Sequence, residues 1–387
     1  MRPAECRMRC SLLFLAWAIL LAVSACGQTA APDSAGALET PKPADIPALR
    51  SAAARGEARS QLLLGMAYQD GSGVPESLPN AALWYRKAAE QGNSQAQIDL
   101  GVLYLGYPPI PTDYTEAAKW FRKAAEQGDL GAMNDLGFVY LEGGHGLKQD
   151  LKEGAAWYRK AAEKGDAAAQ YELGTLYADG TGVPQDDVQA ANWFLQAALQ
   201  GHAEAQAEMA EAYAQGTGVA ESDAEALQWA QKSAAQGNAH GQFFLSTMYM
   251  DGIAGLLPRD LRQALVLLRQ AAKAGYAPAL NNLAGMYFSG EGVPQSYAEA
   301  RRLFLQAAEQ EDEKAAYNLG VIYENGDGVP KNYPLACQWY LIAAAEGHER
   351  AADAATDLGS HLTRAQIAAA QRQATAWLTK HGITPDN

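Results

Sequence analysis

The chain has 387 residues, 48% hydrophobic and 19% charged, which is more than one globular core usually holds. That leaves several domains or a repeat array, and rules out a wholly disordered chain. Its net charge is −14, and an acidic surface repels phosphate backbones and anionic headgroups, so nucleic acid is excluded as a natural partner.

At the N-terminus Arg2, Arg7 and Arg9 precede an uncharged apolar run from Leu12 to Val23. The run is too short to cross a bilayer comfortably, so residues 1–25 read as a cleaved export signal. It ends in Val23-Ser24-Ala25-Cys26, which resembles the lipobox of bacterial lipoproteins. The resemblance implies cleavage before Cys26 and lipid attachment there, with durable anchoring by several acyl chains. It also implies, for a Gram-negative source, that Gly27 after the cysteine directs the protein to the outer membrane, facing the periplasm. The alternative is an ordinary signal peptide with an incidental cysteine. Residues 26–50 then form a tether rich in Ala, Pro, Thr and Asp, with a reach of roughly 60–70 Å when extended.

Self-similarity dominates residues 51–347. A segment of the form A-x-A-Q-x-x-L-G-x-x-Y closes one predicted helix, a glycine-rich turn follows, and W-Y-x-K-A-A-E-Q-G closes a second. The unit ends fall at Gly92, Gly128, Gly165, Gly201, Gly237, Gly275, Glu311 and Gly347, a period of 36 to 38 residues. First helices share a tyrosine column: Tyr68, Tyr104, Tyr140, Tyr177, Tyr213, Tyr249, Tyr287 and Tyr323. Second helices share Trp84, Trp120, Trp157, Trp193, Trp229, Leu267, Leu303 and Trp339. Such columns predict rings packed between helices, with Ala88, Ala89 and their equivalents permitting close approach. Turns such as Gly71-Ser72-Gly73-Val74-Pro75 follow a helix rather than a strand and lack a Gly-Lys-Ser/Thr, so they read as helix stops, not phosphate loops. Asp113, Asp150 and Ser296, each three residues before a glutamate, are capping signals for second helices. The turns Tyr107–Pro111, Gly143–Gly146 and Gly252–Pro258 depart from the pattern, as contact points or as tolerated loop variation.

This pattern resembles the Sel1-like repeat family, relatives of tetratricopeptide repeats. The resemblance implies an all-α right-handed α-solenoid of eight helix-turn-helix units. Residues 348–387 then form a helical cap, with a polar helix over residues 364–380.

No catalytic constellation is visible. The six histidines form no His-x-x-x-His pair, and neither Ser-x-x-Lys nor Gly-x-Ser-x-Gly occurs. Cys337 stands alone in the body and is expected to be a small buried residue. Some cysteine-rich Sel1-repeat proteins are described as penicillin-binding or penicillin-hydrolysing, but their paired cysteines are missing here. The expectation is therefore a binding protein without enzyme activity, metal or cofactor.

By resemblance to tetratricopeptide repeats, first helices line the concave side and hold peptide at positions i, i+4 and i+7. In the second unit these are Ile98, Val102 and Leu105, then Asn134, Phe138 and Leu141, then Tyr171, Thr175 and Ala178. Further along stand Phe243, Thr247 and Met250, Asn281 with Phe288, and Tyr317 with Val321 and Glu324. The first two rows read as an apolar groove and the last two as an amide-bearing one, suited to an extended peptide or protein segment of the cell envelope. The same positions also suit packing between neighbouring helices, and exposed aromatics among them would suit a polysaccharide instead. The membrane is expected to be reached through the lipid alone.

Overall fold

A computed structural model describes residues 41–42 and 45–383. Cys26, the export signal and most of the tether lie outside the described residues. The chain divides into two compact units, one through Gln196 and one from Ala197.

The first unit holds α1 (Ile46–Ala54), α2 (Ala58–Asp70), α3 (Leu78–Glu90), α4 (Ser94–Leu103), α5 (Tyr114–Glu126), α6 (Leu130–Glu142), α7 (Leu151–Glu163), α8 (Ala167–Asp179) and most of α9 (Asp187–Leu199). The second holds α10 (Ala203–Gln215), α11 (Asp223–Ala235), α12 (Ala239–Asp251), α13 (Leu261–Lys273), α14 (Ala277–Ser289), α15 (Tyr297–Ala308), α16 (Glu313–Asn325), α17 (Tyr333–Ala345), α18 (Ala351–Leu358) and α19 (Arg364–Lys380). The described chain is an all-α solenoid of helix pairs, with no strand beyond two isolated bridges, Gly144 with Leu147 and Ile253 with Leu257.

Local chemistry sets the helix ends. Asp129, Asp166 and Asn238 each accept a backbone N–H from the first turn of the helix they open. Gly71, Gly180, Gly290 and Gly326 close α2, α8, α14 and α16 in the left-handed region. The predicted caps Asp113, Asp150 and Ser296 also hold. Their glutamates, however, turn elsewhere: Glu116 and Glu153 accept the indole N–H of Trp120 and Trp157 at 3.3 and 3.0 Å.

The tryptophan column is buried in part. Trp120, Trp157, Trp229 and Trp339 are at most 6% exposed, whereas Trp84 and Trp193 are half-buried. Lysine ammonium groups one turn on cover four of these rings, Lys87, Lys123, Lys160 and Lys232 lying 3.6–4.2 Å from the centroids. The deepest rings belong to the next residue along. Tyr85, Phe121, Tyr158, Phe194 and Tyr340 lie against Gly65, Gly101, Gly137, Gly174 and Gly320 of their own repeat, where a Cβ would come within 3.0 Å of the ring. The glycine of L-G-x-x-Y is therefore a packing device, not a turn signal.

Hydrogen bonds knit the repeats. Gln61, Gln97 and Gln170 are buried and donate to the carbonyls of Ala53, Ala89 and Ala162 in the preceding helix. Gln61 and Gln97 in turn accept from Gln91 and Gln127, each at 2.7 Å. The tyrosine column accepts arginine: Arg50, Arg86, Arg122 and Arg159 donate to Tyr68, Tyr104, Tyr140 and Tyr177, and Arg269 donates to Tyr287. Helix α1 begins at Ile46, inside the stretch assigned to the tether. It supplies Ala53 and Arg50 at the places that Ala89 and Arg86 fill one repeat later, so it acts as the second half of an incomplete repeat. At the other end α19 spans the expected polar helix and sets Trp377 edge-on to Trp339, with centroids 5.0 Å apart. Cys337 is 2% exposed, and burial pushes its thiol pKa up, as expected of an inert packing cysteine.

Candidate binding surface

The predicted rows occupy α4, α6 and α8 in the first unit and α12, α14 and α16 in the second, except that Leu105 lies two residues past the end of α4. Ile98, Val102 and Leu105 are half-buried and pack against a core that includes Phe121, Leu136 and Leu173. Phe138 and Leu141 are 4% and 7% exposed. Both belong to that core and cannot present a surface to a partner. Leu141 sinks because the facing position in α7 is Gly154, whose missing side chain leaves room for the leucine, whereas Ala81 and Ala117 stand there in the two earlier repeats. Asn134 is half-buried; its amide donates to Asp166 Oδ1 at 2.9 Å, and its own oxygen is buried without a partner.

The aromatic members are half-buried and engaged by other rings. Tyr171 meets Phe194 at 5.8 Å and Phe243 meets Tyr276 at 5.4 Å. Tyr317 stacks on His348 at 4.1 Å, nearly parallel. Asn318 donates to Asn281 Oδ1 at 3.1 Å, which joins the amides of α16 and α14 into one polar strip. Thr175 and Thr247 turn their hydroxyls to the carbonyls of Tyr171 and Phe244, so they present mainly methyl groups.

Lysine and arginine are distributed unevenly among helices α3 to α8. Helices α4, α6 and α8 contain no lysine or arginine. The second helices that precede them, α3, α5 and α7, carry both, as Arg86 with Lys87, Arg122 with Lys123, and Arg159 with Lys160, whereas α9 carries neither. The acids Asp99, Asp135 and Glu172 fill one column of the first helices, each just before the leucine of L-G-x-x-Y. Burial pushes the Asp135 pKa up to about 7, with the Asp129 charge adding to it. Asp99 also rises to about 7 through burial, although a 2.9 Å hydrogen bond from Gln95 holds it back.

Tyr158 sits beneath this column. It is 2% exposed, yet its hydroxyl has no hydrogen-bond partner among the described residues. In other repeats the equivalent hydroxyl is satisfied: Tyr85 donates to Gln69 at 2.8 Å and Tyr340 to Glu324 at 2.5 Å. The third repeat carries Leu141 where Gln69 and Glu324 stand. The charges that act on Tyr158 are those of Glu172, Asp135 and Glu142, all acidic, and with burial they raise its pKa. This grouping was missed in the sequence because each acid, taken alone, reads as a solvated face.

Among the described residues, no group of three or more His, Cys, Asp or Glu is placed to hold a metal ion. His202 and His348 use Nδ1 to accept backbone N–H groups, and His240 lies 3.4 Å from Glu211 and 3.8 Å from Glu208. Of the irregular turns, Gly143–Gly146 brings the carbonyl of His145 to the amide of Tyr114, 3.1 Å away, with the two rings 4.8 Å apart. That turn packs on its own repeat array.

Comparison with known proteins adds the following. The Sel1 repeat model matches eight consecutive stretches, residues 58–93, 94–129, 131–166, 167–202, 203–238, 239–276, 277–312 and 313–348. A solved Sel1 repeat protein from Oxalobacter formigenes is 30% identical, with a TM-score of 0.59, covering 87% of this chain and 99% of that one. The c5321 protein, a protective antigen of uropathogenic Escherichia coli displaying an SLR fold, is 29% identical over 87% of both chains, with a TM-score of 0.46. No curated relative matches the sequence.

Proposed function

The chain belongs to the Sel1 repeat family, and from that premise we propose that it is a non-enzymatic scaffold of the bacterial cell envelope that docks a protein or peptide segment on its first helices. The family typically serves as a protein-interaction scaffold. The observation that carries the finer reading is the half-buried side chains of two separate stretches, Ile98, Val102 and Leu105 in the second repeat, and Asn281 with Asn318 on α14 and α16. Half-buried aliphatic groups gain from further burial, at about 25 cal/mol per Å², and paired amides offer donors and acceptors to an extended backbone. The lipobox at Cys26 supports attachment to the outer membrane, with the tether holding the array in the periplasm. A polysaccharide reading is weaker, because Tyr171, Phe243 and Tyr317 each have a ring face or edge covered by Phe194, Tyr276 and His348. β-Lactam hydrolysis has no support in paired cysteines or a nucleophile–base pair.

The test is a photo-crosslinking residue placed at Val102 in living cells, with one at Lys152 on a second helix as control. Docking on the first helices gives a discrete protein adduct at Val102 and none at Lys152. Equal adducts at both positions, or an adduct at Lys152 alone, would refute the assignment of the face.

A further inference from the structure

Resting on the lipid-anchored placement proposed above, we propose that the outward face of α13 lies on the anionic lipid surface of the membrane that carries the anchor.

Helix α13 differs from the other second helices in charge. It holds three cations, Arg262, Arg269 and Lys273, and no acid, in a chain whose net charge is −14. Arg262, Val266, Arg269 and Lys273 stand at i, i+4, i+7 and i+11, which places them on one stripe of the helix. All four are exposed, Val266 by 51%. The opposite side faces the core: Ala264, Leu268, Ala271 and Ala272 are buried, and Leu268 and Ala271 share a cluster with Leu280 and Leu283 of α14. Packing therefore makes no demand on the stripe. The next repeat extends it at equivalent places, with Arg302 and the exposed Leu305 on α15. In α11, one repeat earlier, the four places hold Ala224, Gln228, Gln231 and Ala235, so the repeat pattern does not require cations there. Nearby acids are engaged elsewhere. Asp260 caps α13 through the N–H groups of Arg262 and Gln263, Glu291 pairs with Arg259 at 2.6 Å and Glu299 with Arg302 at 2.9 Å. Among the described residues no ion pair engages the three cations, and Arg269 meets only the Tyr287 hydroxyl, at 3.4 Å.

Cations interleaved with an aliphatic side chain suit a lipid surface: the charges meet phosphate and the aliphatic group enters the headgroup boundary. The acidity of the whole chain does not cancel this, because physiological salt screens charges beyond about 8 Å and a helix-sized patch is felt locally. It does make unanchored association weak. The lipid on Cys26 supplies attachment and the stripe supplies orientation. An acidic peptide also matches the cations, but the anchor holds anionic headgroups at high local concentration and favours lipid. Because α14 packs on the buried side of α13, this orientation leaves that first helix on the side away from the bilayer.

The experiment places the full, acylated chain on vesicles of phosphatidylcholine alone or mixed equally with phosphatidylglycerol. A fluorophore is attached at Val266→Cys, or at Gln228→Cys on α11 as control, and lipid-borne quenchers report contact. Cys337 is buried and does not compete for the label. The Val266→Cys label should be quenched about fivefold more on anionic than on neutral vesicles, and molar salt should erase the difference. Arg262→Gln combined with Lys273→Gln should return quenching to the neutral level. Arg372→Gln with Lys380→Gln, at exposed positions of α19, makes the same change in net charge and should have no effect. The face is overturned if this control acts as strongly as the α13 pair, if the Gln228→Cys label is quenched equally, or if anionic lipid changes nothing. A label that responds to soluble polyglutamate but not to anionic vesicles would make the occupant an acidic protein. A response to protein concentration alone would make it a second copy, and either result overturns the lipid. Sedimentation with neutral vesicles reads the anchor separately. A chain that sediments with a silent label keeps the anchor and loses the face. If it does not sediment, the anchor falls, and the face then stands only if anionic vesicles sediment the chain and the α13 pair abolishes this.

Discussion

The side-chain amide of Gln127 donates to Gln97 Oε1 at 2.7 Å, across thirty residues of chain. Gln97 passes the link on by donating to the carbonyl of Ala89 at 3.0 Å. One buried side chain thus ties three helices, α3, α4 and the end of α5, and it does so at the seam between two repeats. Gln97→Ala removes both bonds while the Ala89 carbonyl keeps the Gly92 N–H at 3.0 Å, and at about 0.5–1.5 kcal/mol per bond we expect a loss of about 1–3 kcal/mol in stability by urea denaturation. Gln127→Ala, whose residue is exposed, should cost less than half as much. Equal losses would show that the relay does not depend on the buried member.

The close approach of Tyr158 to Gly137 makes a steric prediction. A Cβ at position 137 would come within 3.0 Å of the tyrosine ring, so Gly137→Ala should destabilise by about 1–3 kcal/mol. Repeat five uses Ala210 with Ala230 at the same two places, so a smaller facing side chain accommodates the methyl. Adding Tyr158→Leu to Gly137→Ala should therefore cost less than the sum of the two single changes, a coupling measured by a double-mutant cycle.

Phe138 and Val102 should separate in their effects, since one is 4% exposed and the other half-buried. Phe138→Ala should behave as a core truncation, losing about 3–5 kcal/mol, as should Trp157→Ala, 5% exposed. Val102→Ser should leave the melting temperature within a few degrees of wild type while reducing the Val102-face interaction. A Phe138→Ala variant that melts like wild type would contradict its placement in the core.

Glu346 makes stability depend on pH. Both its oxygens are buried without a partner, and burial, then the charges of Glu311, Asp312 and Glu313, push its pKa up to about 8. A carboxyl whose pKa is raised on folding favours the protonated folded state. Its contribution is complete below the unfolded value near 4.5 and is lost as pH rises through 8. Glu346→Gln should therefore match wild type near pH 4 and exceed it progressively up to pH 8, with no further gain above. A constant difference across that range in denaturation titrations would show that the carboxyl is solvated.

Anchoring through Cys26 predicts that Cys26→Ser moves the protein from the membrane fraction to the soluble periplasmic one. An unmodified Cys26 thiol in the wild-type protein, read by mass spectrometry, would remove the lipoprotein proposal.

The repeat itself was legible because its period, its capping residues and its helix-stopping glycines are local. An Asp or Asn at the N-cap and a glycine in the left-handed region act on the backbone within one turn. A string of residues therefore suffices to place α2 through α17 and even the cap helix α19. The columns of large side chains were legible too, but their depths were not. Tyr158 and Trp157 are neighbours in sequence, and nothing in their identities says that the tyrosine lies in the hole left by Gly137 while the tryptophan packs under Lys160. Helix α1 was hidden for a related reason: Ile46, Leu49 and Ala53 are too few to show periodicity amid a proline-rich stretch, and only the repeat they cover makes them a helix.

What the sequence alone determined, then, is whatever depends on spacing: the all-α class, the eight units and their ends. Tertiary structure decided which members of each column are core and which are surface, because burial depends on what the facing helix leaves vacant. Leu141 is buried over Gly154, and the Tyr158 hydroxyl is left without a partner because the residue at position 141 is a leucine rather than a glutamine or a glutamate. Both outcomes are set by pairs of side chains far apart in the chain, and a periodic pattern, which constrains each helix separately, carries no information about such pairs.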